Sequence, residues 1–236
     1  GDNRDLHSFP TRRSSDLCGR FAQIDPISKI IKTFLIDDVL SDVLPAYNIT
    51  PGSNILSIIM RDGKKLLVDF KWGLVPSWAK EPSIGQKMIN ARGETVSQKP
   101  SFRTAFKSRR CLIVASGFYE WKREGKTKIP YYIRLASNQP FGFAGLHETW
   151  ISDEGKELHT CTIITTEAND VMKPIHNRMP VIIPRQKDDL WINSVTSSDD
   201  AKGLLVPYQE EEMTAYPVST LVNSPKNNSA ECIAPL

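Results

Sequence analysis

The chain of 236 residues has only four cysteines, Cys18, Cys111, Cys161 and Cys232, and no CxxC pair. That spacing excludes a zinc knuckle and a dense disulfide scaffold, and it suits free thiols in a reducing compartment. No His, Cys and carboxylate cluster has metal-ligand spacing, so neither a metal nor a cofactor is expected. Apolar runs of about 18 residues or more are missing, which excludes a membrane-spanning helix. The leader "GDNRDLHSFPTRRSSDL" lacks the apolar centre of a secretory signal, so a cytoplasmic location is expected. Acidic residues are absent between Glu94 and Glu120, where Lys99, Arg103, Lys107, Arg109 and Arg110 all fall. Such a stretch attracts polyanions or forms an ordinary solvated helix face. The formal net charge of +3 is otherwise mild.

What is present reads as one domain over residues 18–236, preceded by a disordered leader over 1–17. The last eleven leader residues, "HSFPTRRSSDL", read like one translated frame of a sequencing adapter; the competing reading is a propeptide cut before Cys18. "IDPISKIIKTFL" has helical spacing of Ile27, Ile30, Ile31, Phe34 and Leu35, with Asp25 as cap and Pro26 in the first turn. Three segments, "ILSIIMRDGKKLLVDF", "GFYEWKREGKTKIPYYIRL" and "FAGLHETWISDEGKELHTCTIITT", each set a glycine in a charged turn between apolar runs and predict hairpins. Short helices are expected near 95–107 and 185–205. Together with the lack of regular βαβ alternation, these patterns predict an α+β domain with an antiparallel, barrel-like β-sheet and short flanking helices.

Several groups carry chemistry. Cys18 follows directly on the leader. As a chain terminus it would offer an α-amine of pKa about 7.7–8.0 beside a thiol of about 8.5. The pair can trap an aldehyde, first as an imine and then as a five-membered thiazolidine, provided Leu17 does not acylate the amine. As an internal residue, Cys18 would be a small hydrophobe. In "INARGET", Asn90, Arg92 and Glu94 alternate along an extended segment, as site residues or as a turn capping the following helix. Asn90 suits orienting a substrate and Arg92 suits forking onto a phosphate. In "ASGFYEWK", Glu120 follows an apolar strand; pointing inward it would be a carboxyl tuned for acid–base work, pointing outward a routine surface residue. In "KPIHNRMPVIIP", His176 lies with Asn177 and Arg178 in a polar loop before a short strand over 179–184, whereas His147 and His159 fall in hairpin strands. "KWGLVPSWAK" sets Trp72 and Trp78 around a loop whose rings can stack on bases and whose Leu-Val-Pro tip can wedge into a duplex end, with a core position as the alternative for Trp72. Phe102 and Phe106 at i,i+4, beside Arg103 and Lys107, give one helical face to the core and its neighbour to phosphate.

In this order, "CGRF", "YNITPG", "WGLVPSW", "INARGET", "GFYEWK", "HNRMPVII" and "VNSPKN" resemble the SOS-response-associated peptidase (SRAP) family from Cys18 to about Ile233. The resemblance implies a sensor of abasic sites in single-stranded DNA, including single-strand/double-strand junctions, that crosslinks to them as a monomer. Cys18 matches the cysteine that forms the thiazolidine, Asn90 the asparagine that positions sugar and amine, Glu120 the acid/base glutamate, and His176 the histidine of ring opening and crosslink reversal. Arg92 matches a phosphate-binding arginine, Thr165 a threonine lining the pocket, and Arg20 a backbone contact; Arg178 joins these DNA-binding candidates. The family also implies β-lyase and autopeptidase activity. Two departures stand out: seventeen residues precede the cysteine, so the chain as written should bind DNA without crosslinking, and Ala79 stands where some members carry a tryptophan. A thiol peptidase built on Cys18, His176 and either Glu120 or Asn90, or a non-catalytic single-strand-binding module, are the competing functions.

Overall fold

The computed structural model describes residues 19–236, so Cys18 and the leader lie outside the described residues. The chain opens with β1 (Phe21–Gln23), α1 (Ile27–Phe34), β2 (Asp38–Val39) and β3 (Ala46–Ile49). Next come β4 (Asn54–Arg61), β5 (Lys64–Trp72), β6 (Asn90–Arg92), α2 (Arg103–Ser108) and β7 (Arg110–Ala115). The strand-rich middle is β8 (Gly117–Glu124), β9 (Thr127–Leu135), β10 (Phe141–Ile151) and β11 (Glu157–Glu167). The chain closes with β12 (Arg178–Pro180), β13 (Ile182–Ile183), α3 (Asp188–Ile192), α4 (Ser198–Gly203) and β14 (Met213–Pro217).

All three expected hairpins form: β4 with β5, β8 with β9, and β10 with β11. The first turns through Asp62 and Gly63, both at positive φ (51° and 76°), the tight two-residue turn that matches strand twist and favours glycine. Strands β11, β10, β7, β4 and β5 pair in that order, and a short parallel pairing of β5 with β11 (Cys161↔Trp72) closes them into a barrel. Closure thus needs parallel contacts that the hairpin pattern does not announce; β6 on β11 and β2 on β5 are also parallel. A second sheet, β14-β9-β8-β1-β3, lies against the barrel.

Period-two alternation explains why β7 is buried along its whole length. Cys111, Ile113 and Ala115 face the inner core with Ile55, Phe70, Trp72 and Phe143. Leu112 and Val114 face an outer layer that contains Phe34 of α1, Phe106 of α2 and Trp191 of α3. Each such large apolar side chain contributes roughly 1.5–3 kcal/mol by leaving water. β8 is divided the same way: Phe118 faces the inner core, while Tyr119 faces a third cluster with Val222 and Cys232 from the C-terminal segment.

Two local expectations change. Asp25 does not cap α1; Pro26 holds the cap position, and the Asp25 carboxylate instead pairs with Lys29 (2.6 Å) and accepts from Ser116 Oγ (2.6 Å). The helix expected near 95–107 is α2 alone, preceded by turns, because Pro100 disfavours helical backbone at the residue before it. The short helices expected near 185–205 form as α3 and α4, separated by a polar Asn-Ser-Val-Thr-Ser stretch, with Ser197 capping the second by accepting from the Asp200 amide. Among the described residues, no helix is long and apolar enough to cross a membrane.

Candidate functional site

Glu120 shares the inward face of β8 with Phe118 and is only 1% exposed. Its register partner on β9, Tyr131, packs on the inner core, so the inward orientation is the observed one. Strand β8 is entered through Gly117, where a Cβ would lie 2.3 Å from the Tyr132 ring; only glycine lets that ring pack under the start of the strand.

Asn90 opens β6, whose parallel pairing sets it opposite Ile163 and sets Arg92 opposite Thr165. On the other side of β11, β12 places Arg178 opposite Glu167. The His176 loop is held by buried Asn169: its side-chain oxygen accepts from the Met172 amide at 3.1 Å, and its amide nitrogen donates to Tyr208 O at 2.9 Å. The Met172 carbonyl then accepts from the His176 amide at 2.8 Å. His176 Nδ1 in turn lies 3.1 Å from the Arg178 amide nitrogen and 3.3 Å from the Arg178 carbonyl oxygen. Ile163 opposite Asn90, Tyr131 opposite Glu120, and Met172 and Met179 beside the His176 loop all pack on the same inner core. Cys18, the remaining catalytic candidate, lies outside the described residues.

Other titratable groups are poor competitors. Burial, chiefly, lowers His147 to a pKa of about 4, and its ring stacks on Phe70 at 4.8 Å, which leaves it neutral at pH 7. Burial pushes the Cys111 and Cys161 thiols well up, so neither forms a thiolate nucleophile. Among the described residues, no group of three or more His, Cys, Asp or Glu is placed to hold a metal.

A family profile described as SOS response associated peptidase (SRAP) matches residues 17–225. The chain belongs to the SRAP family. It is 50% identical over 221 residues to a Bacillus subtilis protein named abasic site processing protein YoaM, covering 92% of this chain and 97% of that one. Abasic site processing protein HMCES of Xenopus tropicalis is 34% identical over 222 residues, 80% of this chain and 66% of that longer protein. A crystal structure of a Bacteroides thetaiotaomicron protein superposes with a TM-score of 0.84 at 28% identity, covering 93% of this chain and all of that one. The α+β reading with a barrel therefore stands as an SRAP fold.

The nucleic-acid candidates of this SRAP chain divide sharply. Trp78 is 59% exposed, and Arg92, Arg103 and Lys107 are exposed as well. Trp72 is 1% exposed, donates from its indole to Ile89 O (2.9 Å) and meets Phe21 edge-on, so it is core and offers no face to a base. The Leu74-Val75-Pro76 tip is likewise buried and cannot wedge into a duplex. Arg20 faces inward: its Nη1 donates to Asn48 Oδ1 (2.7 Å) and Val222 O (2.6 Å), and its guanidinium lies over Trp121. Asn48 completes this knot by donating to Val222 O, Ser224 O and Asn227 O, which explains why "VNSPKN" matters to the fold. Thr165 is fully buried, and its hydroxyl accepts from Arg178 at 3.1 Å. Arg178 forks onto Glu94. In the cationic stretch, Arg109 pairs with Glu148 and Arg110 is buried, which reduces the exposed charge to Lys99, Arg103 and Lys107.

Proposed function

We propose that this SRAP protein captures abasic sites in single-stranded DNA, including those at single-strand/double-strand junctions, by forming a thiazolidine on Cys18 once its α-amine is free. The α-amine attacks the C1′ aldehyde of the ring-opened deoxyribose to give a carbinolamine. Glu120 gives a proton to the departing hydroxyl, one water leaves, and an imine remains. The Cys18 sulfur then adds to C1′ while its proton passes to the nitrogen, closing the ring with no oxidant or reductant. Asn90 orients amine and sugar, and His176 exchanges protons with the sugar oxygen during ring opening and during reversal. The same imine is the branch point for strand cleavage by β-elimination. Arg92, Arg103 and Lys107 hold phosphates, and Trp78 offers a stacking face. The reading has the protein act in the cytoplasm as a monomer, with residues 18–236 as the working domain.

The observation that carries this proposal is the buried Glu120 carboxyl on the face of β8 that looks toward the inner core. A positioned acid–base group accelerates imine formation and dehydration at neutral pH, and a binding module has no use for one. The relatives' shared name, abasic site processing protein, supports the substrate.

The test compares the chain as written, a chain that begins Met-Cys18, and the latter with Cys18→Ser. Each is mixed with a single strand that carries one abasic site, and intact masses are read. The proposal expects the second form alone to gain the mass of the DNA less one water. Reaction of the long form with its leader retained would overturn it. Loss of residues 1–17 without DNA would favour the peptidase reading, and unreactive protein that still binds DNA would favour a binding module.

A further inference from the structure

Arg20 stands just before β1, two residues along the chain from Cys18. Its backbone is docked on β8: the Arg20 carbonyl accepts from the Tyr119 amide at 3.0 Å, and the register continues as Phe21↔Phe118. Its side chain enters a knot that Asn48 of β3 organises. Asn48 is 6% exposed, and both ends of its amide are occupied. Oδ1 accepts from Arg20 Nη1 at 2.7 Å, while Nδ2 donates to Asn227 O (2.7 Å), Ser224 O (3.0 Å) and Val222 O (3.2 Å). A guanidinium only donates and a carbonyl oxygen only accepts, so the two ends of the amide cannot be exchanged. Arg20 Nη1 also donates to Val222 O at 2.6 Å, so one carbonyl joins both side chains. The segment that supplies these carbonyls is fastened in turn. The Tyr47 amide donates to Asn228 Oδ1 (2.6 Å), the Trp121 indole to Asn223 Oδ1 (2.7 Å) and the Tyr216 hydroxyl to Ile233 O (3.1 Å).

Two residues of extended chain span about 7 Å at most, so whatever fixes Arg20 bounds the reach of Cys18. We infer that Asn48 is a positioning residue for crosslinking: by joining Arg20 to the carbonyls of Val222, Ser224 and Asn227, it moors the base of the arm that bears Cys18 to the C-terminal segment. This deepens the proposed function, on which its catalytic meaning rests. A nucleophile on a free chain end samples many directions, and holding it near its acid turns that search into an effectively unimolecular step. The mooring sits where this matters, because the Tyr119 amide bonded to Arg20 belongs to the residue next to Glu120. Asn48 acts through Arg20 and takes no part in the bond changes. Its residue type follows from the two tasks: leucine would strand the guanidinium, and aspartate would set a charge against three carbonyl oxygens.

The experiment first reads the mooring without DNA. Backbone nitrogen-15 heteronuclear NOEs are recorded on the full chain as written. In wild type the Gly19 and Arg20 amides should be as rigid as those of β1. Asn48→Ala should release both, while the Ile113 and Val114 amides in β7 stay unchanged as controls for folding. Arg20→Met, which keeps the side-chain length and leaves Asn48 bonded to the C-terminal segment, should release the arm likewise and decides the matter if the alanine variant does not fold. In chains that begin Met-Cys18, Asn48→Ala should then slow single-turnover crosslinking at saturating abasic single strand about tenfold or more, at undiminished affinity. A merely structural asparagine would lower stability and leave that saturated rate alone. Rigid Gly19 and Arg20 amides in the folded variants, or a wild-type rate at saturation, would overturn the inference. If wild type fails to crosslink, the functional reading falls while the NOEs still judge the mooring.

Discussion

The flank of β11 and the helix α2 both present arginines in polar sequence, yet the fold uses them in opposite ways. Beside β11, Arg178 is bound at both terminal nitrogens by Glu94 and Thr165. On α2, Arg103 and Lys107 stand in solvent while Phe106 and Ala105 face the core. The first region spends its charge on contacts inside the fold, and the second leaves its charge in solvent. A residue's type therefore says less about its role than the acceptors its neighbours bring to it. Arg110, only three positions from Lys107, makes the same point. Its guanidinium donates to the carbonyl oxygens of Phe106, Lys107, Trp191, Asn193 and Thr196, which ties α2 to the end of α3.

The comparison is sharpened first by removing that tie. Arg110→Ala strands several buried carbonyls and should destabilise the fold by about 3–5 kcal/mol in urea titration. A loss under about 1 kcal/mol would mean that the carbonyls find other donors. Next in size, Trp78→Ala should weaken single-strand binding by about 1–3 kcal/mol with stability unchanged. Trp72→Ala should instead lower stability by about 3–5 kcal/mol. Equal effects of the two tryptophans on binding would erase the distinction drawn between them. Smaller again is the paired change Arg103→Ala with Lys107→Ala, which should flatten the slope of log affinity against log salt by about 1.4 for single strands. An unchanged slope would take α2 out of the interface.

His147 lies on the side of β10 opposite the layer that carries α2, stacked on Phe70. The His147 pKa is depressed from its ordinary value to about 4, chiefly by burial, so the stability it contributes is present above the unfolded-state value near pH 6.5 and is lost as pH falls toward 4. His147→Phe keeps the stack on Phe70 and should remove that part of the acid sensitivity. Unfolding midpoints measured from pH 7 to pH 4 should fall less in the variant, and parallel curves would contradict the assignment.

Much of this was legible in the residues. Glycine turns between apolar runs fix the three hairpins, and the alternation of Phe70 with Trp72 along β5 already carries the inward parity of that tryptophan. Trp78, outside any regular element, has no such parity to read. The barrel's parallel seam was not legible, because β5 and β11 are separated by some 85 residues of chain and no turn joins them. Arg20, Arg110 and Arg178 escaped for one shared reason: their acceptors are Asn48 and Val222, carbonyls of α2 and of residues 191–196, or Glu94 and Thr165, and only the tertiary fold brings those to the guanidinium. Asn169 and Asn48 escaped because a buried asparagine that staples a loop has no sequence pattern of its own. Glu94 was visible within "INARGET", but the strand that separates it from Arg178 was not.

One measurement bears most directly on the division between chemistry and binding. Single-turnover crosslinking at saturating abasic single strand is compared for Glu120→Gln and for the Arg103→Ala, Lys107→Ala pair, both in chains that begin Met-Cys18. The account predicts that Glu120→Gln reacts about 100-fold more slowly at unchanged affinity, while the double variant binds more weakly yet reacts at the wild-type rate once saturated. A wild-type rate from Glu120→Gln would contradict it.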